Sequence, residues 1–325
     1  GVERPLRRRG KANIREQARV MRMAVREHAQ VLVIECMAVD PFLQEISQRK
    51  IVRSDIGVIT NVRLDHTEEM GLTLEEICDS LSRTIPENGI LYTADTQFWG
   101  QMVRNAEKVG ARVELSRPAD DLPNFDFPEN VALALAVCGE LGVDREAALA
   151  GILSYQPDPY ALSAFRLPQG ALFINAMAVN DPKSTCMNYR RMAERLKLDG
   201  HKLILLINNR ADRGYRAIHM AMVAHELQPE EVWITGGARG AVCREIKKRL
   251  PGTPVYSLGS EKEVPAMPRM PKYLKREWAF FLDERGRKKY NELCRKCERS
   301  CKQRFLLSKT VFQCVLCRGT IAGTV

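Results

Sequence analysis

Apolar positions follow two alternating rhythms through the first 260 residues. From Asn13 to His28 they fall at Ile14, Ala18, Met21 and Val25, the spacing of one helix face. Val31–Met37, Ile56–Val62 and Gly89–Ala94 are instead short unbroken apolar runs, the mark of strands buried on both faces. Helical spacing returns over Thr73–Ile85, Phe98–Val109, Glu129–Leu141 and Arg145–Ser154, and Thr73 with Glu76 has the form of a capping box. Short apolar strands separated by helices predict parallel strands with helical crossovers, an α/β fold. Two prolines within Tyr155–Tyr160 interrupt the rhythm and place a domain boundary there. A second set follows, with strands over Ala171–Ala176, Lys202–Ile207, Glu231–Thr235 and Pro254–Leu258. Its helices are Ser184–Leu196, Tyr215–Leu227 and Ala241–Leu250. This is a doubly wound, Rossmann-like pattern, open to ligands at the carboxyl ends of its strands. Past Glu263 three prolines within Val264–Pro271 read as a linker, and Glu277–Tyr290 reads as a basic helix with an aromatic start. The expected organisation is therefore 1–160, 161–263 and a tail over 264–325.

Charge sharpens that division. The chain of 325 residues carries 50 Lys+Arg against 40 Asp+Glu. Residues 264–325 hold 15 of the cations and 5 of the anions, which leaves 35 of each for the rest. The basic character belongs to the tail, so only the tail supports a nucleic-acid reading, against the plainer one of a solvated face. No apolar run approaches the roughly 20 residues of a membrane span. The arginine-rich start, residues 1–11, is not followed by an apolar segment and does not read as a secretory signal. The chain does not begin with Met, so this start reads as the cut edge of something longer. Cys36, Cys78, Cys138, Cys186 and Cys243 lie in periodic segments and read as buried thiols of a reducing compartment.

Three clusters sit where α/β enzymes keep their chemistry. Glu35, at the end of an apolar strand, is a candidate for holding Mg2+ through carboxylate oxygens; a salt bridge to a neighbouring helix is the plainer account. Thr60-Asn61-Val62-Arg63-Leu64-Asp65-His66, with Gly71 beyond, packs an amide, a guanidinium, a carboxylate and an imidazole directly after a strand. A polar turn with satisfied hydrogen bonds is the alternative there. Asn180-Asp181-Pro182-Lys183-Ser184-Thr185 leads from a strand into a helix, where a helix N-terminus and Lys183 suit anionic oxygens. A plain N-cap followed by proline explains the same residues.

Ile59–His66 with Gly71 resembles the Thr-Asn…Asp-His motif of Mur ligases and folylpolyglutamate synthetases. Arg9–Gln17, Glu35–Ala38, Asn180–Thr185 and Asn208–Arg213 resemble, more narrowly, the ligase subunit of poly-gamma-glutamate synthases. The likeness covers roughly residues 1–263. It implies a Mur-ligase-like central domain followed by a Rossmann-like C-terminal domain. It also implies an ATP-dependent amide ligase of capsule or poly-gamma-glutamate synthesis, in which a glutamate carboxylate is phosphorylated and an amine then displaces phosphate. By the same resemblance Glu35 and His66 hold or position magnesium, with Asp65 beside them and Asn61 and Asp65 ordering the loop. Asn130 takes the adenine-side place and Arg166 the phosphate-side place, while Asp181 and Lys183 meet ribose and phosphates. Arg210, Asp212 and Arg213 follow a strand end and are expected to face the cleft. The implied partners are the glutamate or poly-gamma-glutamate chain and a small integral-membrane synthase subunit, with the ligase cytoplasmic and peripheral at the inner membrane face.

The chain departs from that pattern in two ways. The stretch G-x-x-x-x-G-K-[ST], which cradles ATP phosphates, does not occur in these residues; in the family it lies upstream of the part that begins this chain. The expectation is a central domain truncated before its phosphate loop, with little ligase turnover by itself and an open hydrophobic edge where a central strand is missing. The C-terminal domain is likewise expected to be cut short, giving way to the cysteine-rich tail. There Cys294-x2-Cys297 and Cys314-x2-Cys317 have the spacing of a four-thiolate zinc site, with Cys301 as an alternative ligand. An unfolded tail with free thiols is the competing account.

Overall fold

The structure is a computed structural model that describes residues 13–122, 125, 127–155, 161–166, 171–176, 179, 181–209 and 214–258. Backbone alone is described for 278–283, 305–306 and 314–318. The chain divides into two compact units, residues 1–155 with 310–325, and residues 156–309.

In the first unit α1 (Arg15–Arg26) leads to β1 (Val31–Glu35), and α2 (Pro41–Ile46) continues into a π-helical turn over Ser47–Val52. Then come β2 (Ile56–Ile59), α3 (Thr67–Met70), α4 (Leu74–Leu81), β3 (Ile90–Thr93), α5 (Trp99–Glu107) and β4 (Arg112–Leu115). Two helices follow, α6 (Pro128–Glu140) and α7 (Arg145–Leu153). β2, β3 and β4 pair in parallel. Because side chains alternate across a strand, the sheet feeds two cores. Ile59 and Leu91 meet Ile77, Leu81, Phe98 and Met102 of α4 and α5 on one face. Ile56, Val58, Ile90 and Tyr92 meet Leu133 and Val137 of α6 on the other. On that face the Tyr92 hydroxyl donates to Glu140 at 3.0 Å. Burial first, then the acceptor bond to Glu140, pushes the phenol up to about 12. β1 is covered on one face only: Leu32 and Ile34 pack with Val20, Met21, Ile51 and Val52, whereas Val31 and Val33 are exposed.

The second unit opens on β5 (Ser163–Arg166) and β6 (Leu172–Ala176), followed by α8 (Pro182–Leu196), β7 (Lys202–Asn209) and α9 (Arg216–Leu227). It continues through β8 (Glu231–Gly236), α10 (Arg239–Arg249), β9 (Val255–Ser257), β10 (Trp278–Asp283) and β11 (Phe305–Leu306). Its sheet runs β11-β5-β6-β10-β7-β8-β9, parallel from β6 to β9, with β5 antiparallel to both of its neighbours β6 and β11. The helical reading of Glu277–Tyr290 is therefore corrected over its apolar part: Trp278–Asp283 is a strand between β6 and β7. An unbroken run of this length suits a strand buried on both faces, and periodicity alone does not separate that from a helix turn.

A last strand, β12 (Cys314–Arg318), lies antiparallel between β1 and β2. The open edge expected beside the first sheet's centre is thus occupied, by a Cys-Val-Leu-Cys segment of high strand preference. Cys314 and Cys317 stand opposite Glu35 and Leu32 in that pairing. Cys294, Cys297 and Cys301 lie outside the described residues, as do Asn180, Arg210, Asp212 and Arg213. No helix among the described residues is long and apolar enough to cross a membrane.

Candidate active site

Three strands of the first unit deliver polar groups to one edge of the sheet. β12 is antiparallel to both β1 and β2, so these two run parallel, about 10 Å apart with one strand between them. Their carboxyl ends and that of β3 therefore leave the sheet on the same side. Glu35 closes β1; its side chain is exposed, and its carbonyl accepts from Gln17 Nε2 at 3.0 Å, which ties α1 to this end. Gln17 is itself buried and accepts from Ser47 Oγ.

The loop after β2 is built around Asp95, which leaves the end of β3. Asp95 is buried, and its Oδ2 accepts from the Val62 N–H at 2.8 Å while Oδ1 accepts from the Phe98 N–H at 2.9 Å. Its own N–H donates to Thr93 Oγ1 at 3.1 Å. Arg63 stands beside it, Nη1 3.9 Å from Asp95 Oδ2 and 3.0 Å from the Val62 carbonyl that it donates to. Arg63 Nε is buried with no acceptor among the described residues. One carboxylate thus joins the β2 loop to the start of α5.

Further along, the Asp65 N–H donates to the Arg63 carbonyl, and Asp65 Oδ1 accepts from the His66 N–H, both at 2.9 Å. His66 adopts left-handed backbone, φ 48°, and its carbonyl starts α3 by accepting from the Met70 N–H. Its ring lies between two carboxylates, Nε2 3.9 Å from Asp65 Oδ2 and Nδ1 3.8 Å from Glu69 Oε2, and remains partly exposed. Gly71 ends the turn against Glu76, whose Cβ lies 2.3 Å from where a Cβ on residue 71 would sit. The capping box read from Thr73 and Glu76 is present, and Glu76 Oε2 also accepts from the Leu72 N–H. The Thr73 and then the Leu72 amide hold the Glu76 carboxyl below the usual range. Thr73→Ala is expected to cost about 1 kcal/mol, read by urea unfolding, since it removes the cap and leaves the helix packing intact.

Asn61, Asp65 and His66 therefore share one loop, and Glu35 leaves the sheet at the same end, from a strand about 10 Å away with β12 between. Asn130 is half-buried in the first turn of α6, on the sheet face away from α4 and α5. Asp95 escaped the sequence reading, although Thr93-Ala94-Asp95 repeats the pattern of a carboxylate at a strand end before a helix.

In the second unit Asp181 is buried and caps α8, accepting from the Ser184 N–H at 2.7 Å, while the Thr185 hydroxyl donates to the Asp181 carbonyl. The plain N-cap geometry weighed from the sequence is thus present, with Lys183 exposed beside it. Arg166 ends β5, opposite Leu172, the first residue of β6. A buried polar cluster that includes the first two residues of the Asn208–Arg213 stretch lies at the carboxyl ends of β7 and β8. Thr235 Oγ1 donates to Asn208 Oδ1 at 3.1 Å, Asn209 Nδ2 donates to the Gly237 carbonyl at 3.0 Å, and Asn209 Oδ1 has no donor among the described residues.

Similarity to known proteins agrees with this architecture. The model of the poly-gamma-glutamate synthase CapB C-terminal domain matches residues 164–285. The chain is 36% identical over 286 residues to the capsule biosynthesis protein CapB of Bacillus anthracis, covering 84% of this chain and 61% of that protein. It is 37% identical over 269 residues to the PGA synthase CapB of Bacillus subtilis (strain 168), covering 79% of this chain and 68% of that protein. The chain thus spans about three-fifths to two-thirds of these relatives. Among solved structures, MurF from Acinetobacter baumannii superposes with a TM-score of 0.58 at 16% identity, over 80% of this chain and 63% of that one. The bifunctional folylpolyglutamate synthase/dihydrofolate synthase from Yersinia pestis, complexed with AMPPNP and Mn ion, does so with 0.55 at 17% identity, over 72% and 59%. At those identities the likeness establishes the Mur-ligase-type fold. At 36–37% identity across both units, the chain belongs to the poly-gamma-glutamate synthase CapB family.

Proposed function

We propose that this chain forms the core of an ATP-dependent amide ligase that extends gamma-linked glutamate chains. In the reaction a glutamate carboxylate oxygen takes the terminal phosphoryl group of ATP and ADP leaves. An amine nitrogen then attacks the acyl carbon, phosphate leaves, and the amine gives up a proton. The identity to two CapB proteins across both units carries this reading. The donor set fits a divalent cation: Glu35 offers exposed carboxylate oxygens, and the His66 ring stands between two carboxylates on the same sheet edge. When bound, such an ion neutralises phosphate charge. We assign Glu35 and His66 to hold it, and Asp65 to orient His66 through the backbone bond that fixes its left-handed turn. Asn61 helps order this loop, and Asn130 is assigned to the adenine. In the second unit, Lys183 and the first turn of α8 are assigned to nucleotide oxygens, with Asp181 shaping that turn as its cap. The same reading places the protein beside a membrane synthase subunit.

A hybrid tests this, in which the chain replaces the matched part of the Bacillus subtilis relative. Glutamate-dependent ADP release with a gamma-linked product is expected. His66→Ala is expected to lower it at least about 100-fold, as loss of a group that stabilises developing charge does. A folded hybrid that makes no gamma-glutamyl product, or a His66→Ala hybrid with unchanged turnover, overturns the assignment.

A further inference from the structure

α1 presents four arginines, Arg15, Arg19, Arg22 and Arg26, and all four are exposed. Their spacing of four, three and four residues gathers them within about 60° of the helix circumference, in a stripe roughly 16 Å long. The stripe lies opposite the buried Gln17 and Ala24. Ion pairs are absent for Arg15, Arg22 and Arg26 among the described residues. Glu16 and Glu27 flank the stripe and do not interrupt it. Five further cations, Arg4, Arg7, Arg8, Arg9 and Lys11, precede the helix in the sequence. Like charges on one face destabilise an isolated helix, so the arrangement calls for an anionic counterpart.

We propose that this stripe is a docking track for the polyanionic glutamate chain itself, holding its pendant alpha-carboxylates outside the catalytic loop. The inference rests on the ligase reading above for the identity of the polymer. Two observations favour this occupant. First, α1 is anchored at the catalytic edge, since Gln17 donates to the Glu35 carbonyl, which keeps the stripe on the outer side of the same helix within about one helix diameter of that edge. Second, charge complementarity fits a linear polymer with one carboxylate per residue, because each Arg fork holds a carboxylate through two parallel hydrogen bonds. A membrane surface suits the helix less well. Interfacial helices insert an apolar face, and the apolar side of α1, Val20 and Met21, is already packed against Ile34 and Val52. Single-stranded nucleic acid calls for aromatic stacking platforms, and α1 contains none.

The experiment measures binding of a fluorescein-labelled oligomer of gamma-linked glutamate to the full 325-residue chain by anisotropy, across a salt series. Neither ATP nor turnover is needed, so a failed ligase hybrid and a failed track are separate results. Replacing all four arginines with glutamine keeps helix preference and is expected to weaken binding at least about tenfold and flatten its salt dependence. The four arginine-to-lysine substitutions keep the charge but lose the fork, and are expected to weaken binding less than the glutamine set does. A tail variant, Arg285→Gln, Arg287→Gln, Lys288→Gln and Lys289→Gln, is expected to bind like wild type and controls for charge alone. Circular dichroism confirms that each variant is folded. Equal losses in the stripe and tail variants overturn the proposal. So does a stripe variant that binds the oligomer normally while losing binding to phosphatidylglycerol vesicles or to single-stranded DNA.

Discussion

Replacing Asp95 with alanine is expected to destabilise the first unit by about 3–5 kcal/mol, among the largest effects available to a single polar residue in this chain. Three consequences combine. The buried N–H groups of Val62 and Phe98 lose a charged acceptor, each without access to water. Arg63, whose Nε is already buried without an acceptor among the described residues, loses the carboxylate 3.9 Å from its Nη1. The carboxylate also leaves a void between the ends of β2 and β3. Asp95→Asn keeps the shape and an acceptor oxygen and is expected to cost less than half as much. Urea unfolding measures the difference, and hydrogen exchange over residues 56–81 locates it. In the ligase hybrid, Asp95→Asn is further expected to lower turnover more than it lowers stability at working temperature, because Asn61, Asp65 and His66 all hang from the loop that Asp95 pins. An Asp95→Ala chain that unfolds within about 1 kcal/mol of wild type would refute this role.

Gly236→Ala is expected to cost about 2–5 kcal/mol in the second unit. Gly236 ends β8 at φ 83°, and an added Cβ would stand 2.1 Å from the Asn209 carbonyl oxygen and 2.7 Å from Asn208 Oδ1. The carbonyl cannot give way cheaply, because it accepts from the Gly237 N–H at 2.7 Å at the end of the β7–β8 ladder. Two effects are mixed in that number, left-handed backbone and steric clash, and Gly200 separates them. It has nearly the same φ, 75°, in the same unit, and a Cβ there meets nothing within 4 Å. Gly200→Ala is therefore expected to cost only about 1–2 kcal/mol, the backbone part alone. Equal unfolding midpoints for the two variants would show that the Asn208–Asn209 cluster yields and that the clash is not what the glycine avoids.

The periodic pattern of this chain was enough for its α/β class, for nearly all of its parallel strands and long helices, and for the capping box at Thr73. Local rules suffice there, because a buried parallel strand is apolar on both faces and a packed helix on one. The motif loop was legible for the same reason: Asn61, Asp65 and His66 are close in sequence and share one turn. Other features depended on residues far apart. The Asp95 carboxylate reaches Val62 across 33 positions, and only the parallel register of β2 with β3 makes that contact. β4, with its edge-strand alternation, and the short helix α2 lacked a strong apolar run and emerged only with their neighbours in place. Trp278–Asp283 looked helical from its flanks and became a strand because β6 and β7 leave a place between them. Sequence by itself determined which residues are chemically equipped; the pairing of strands decided which of them meet, because register is set by the whole sheet and not by any one segment.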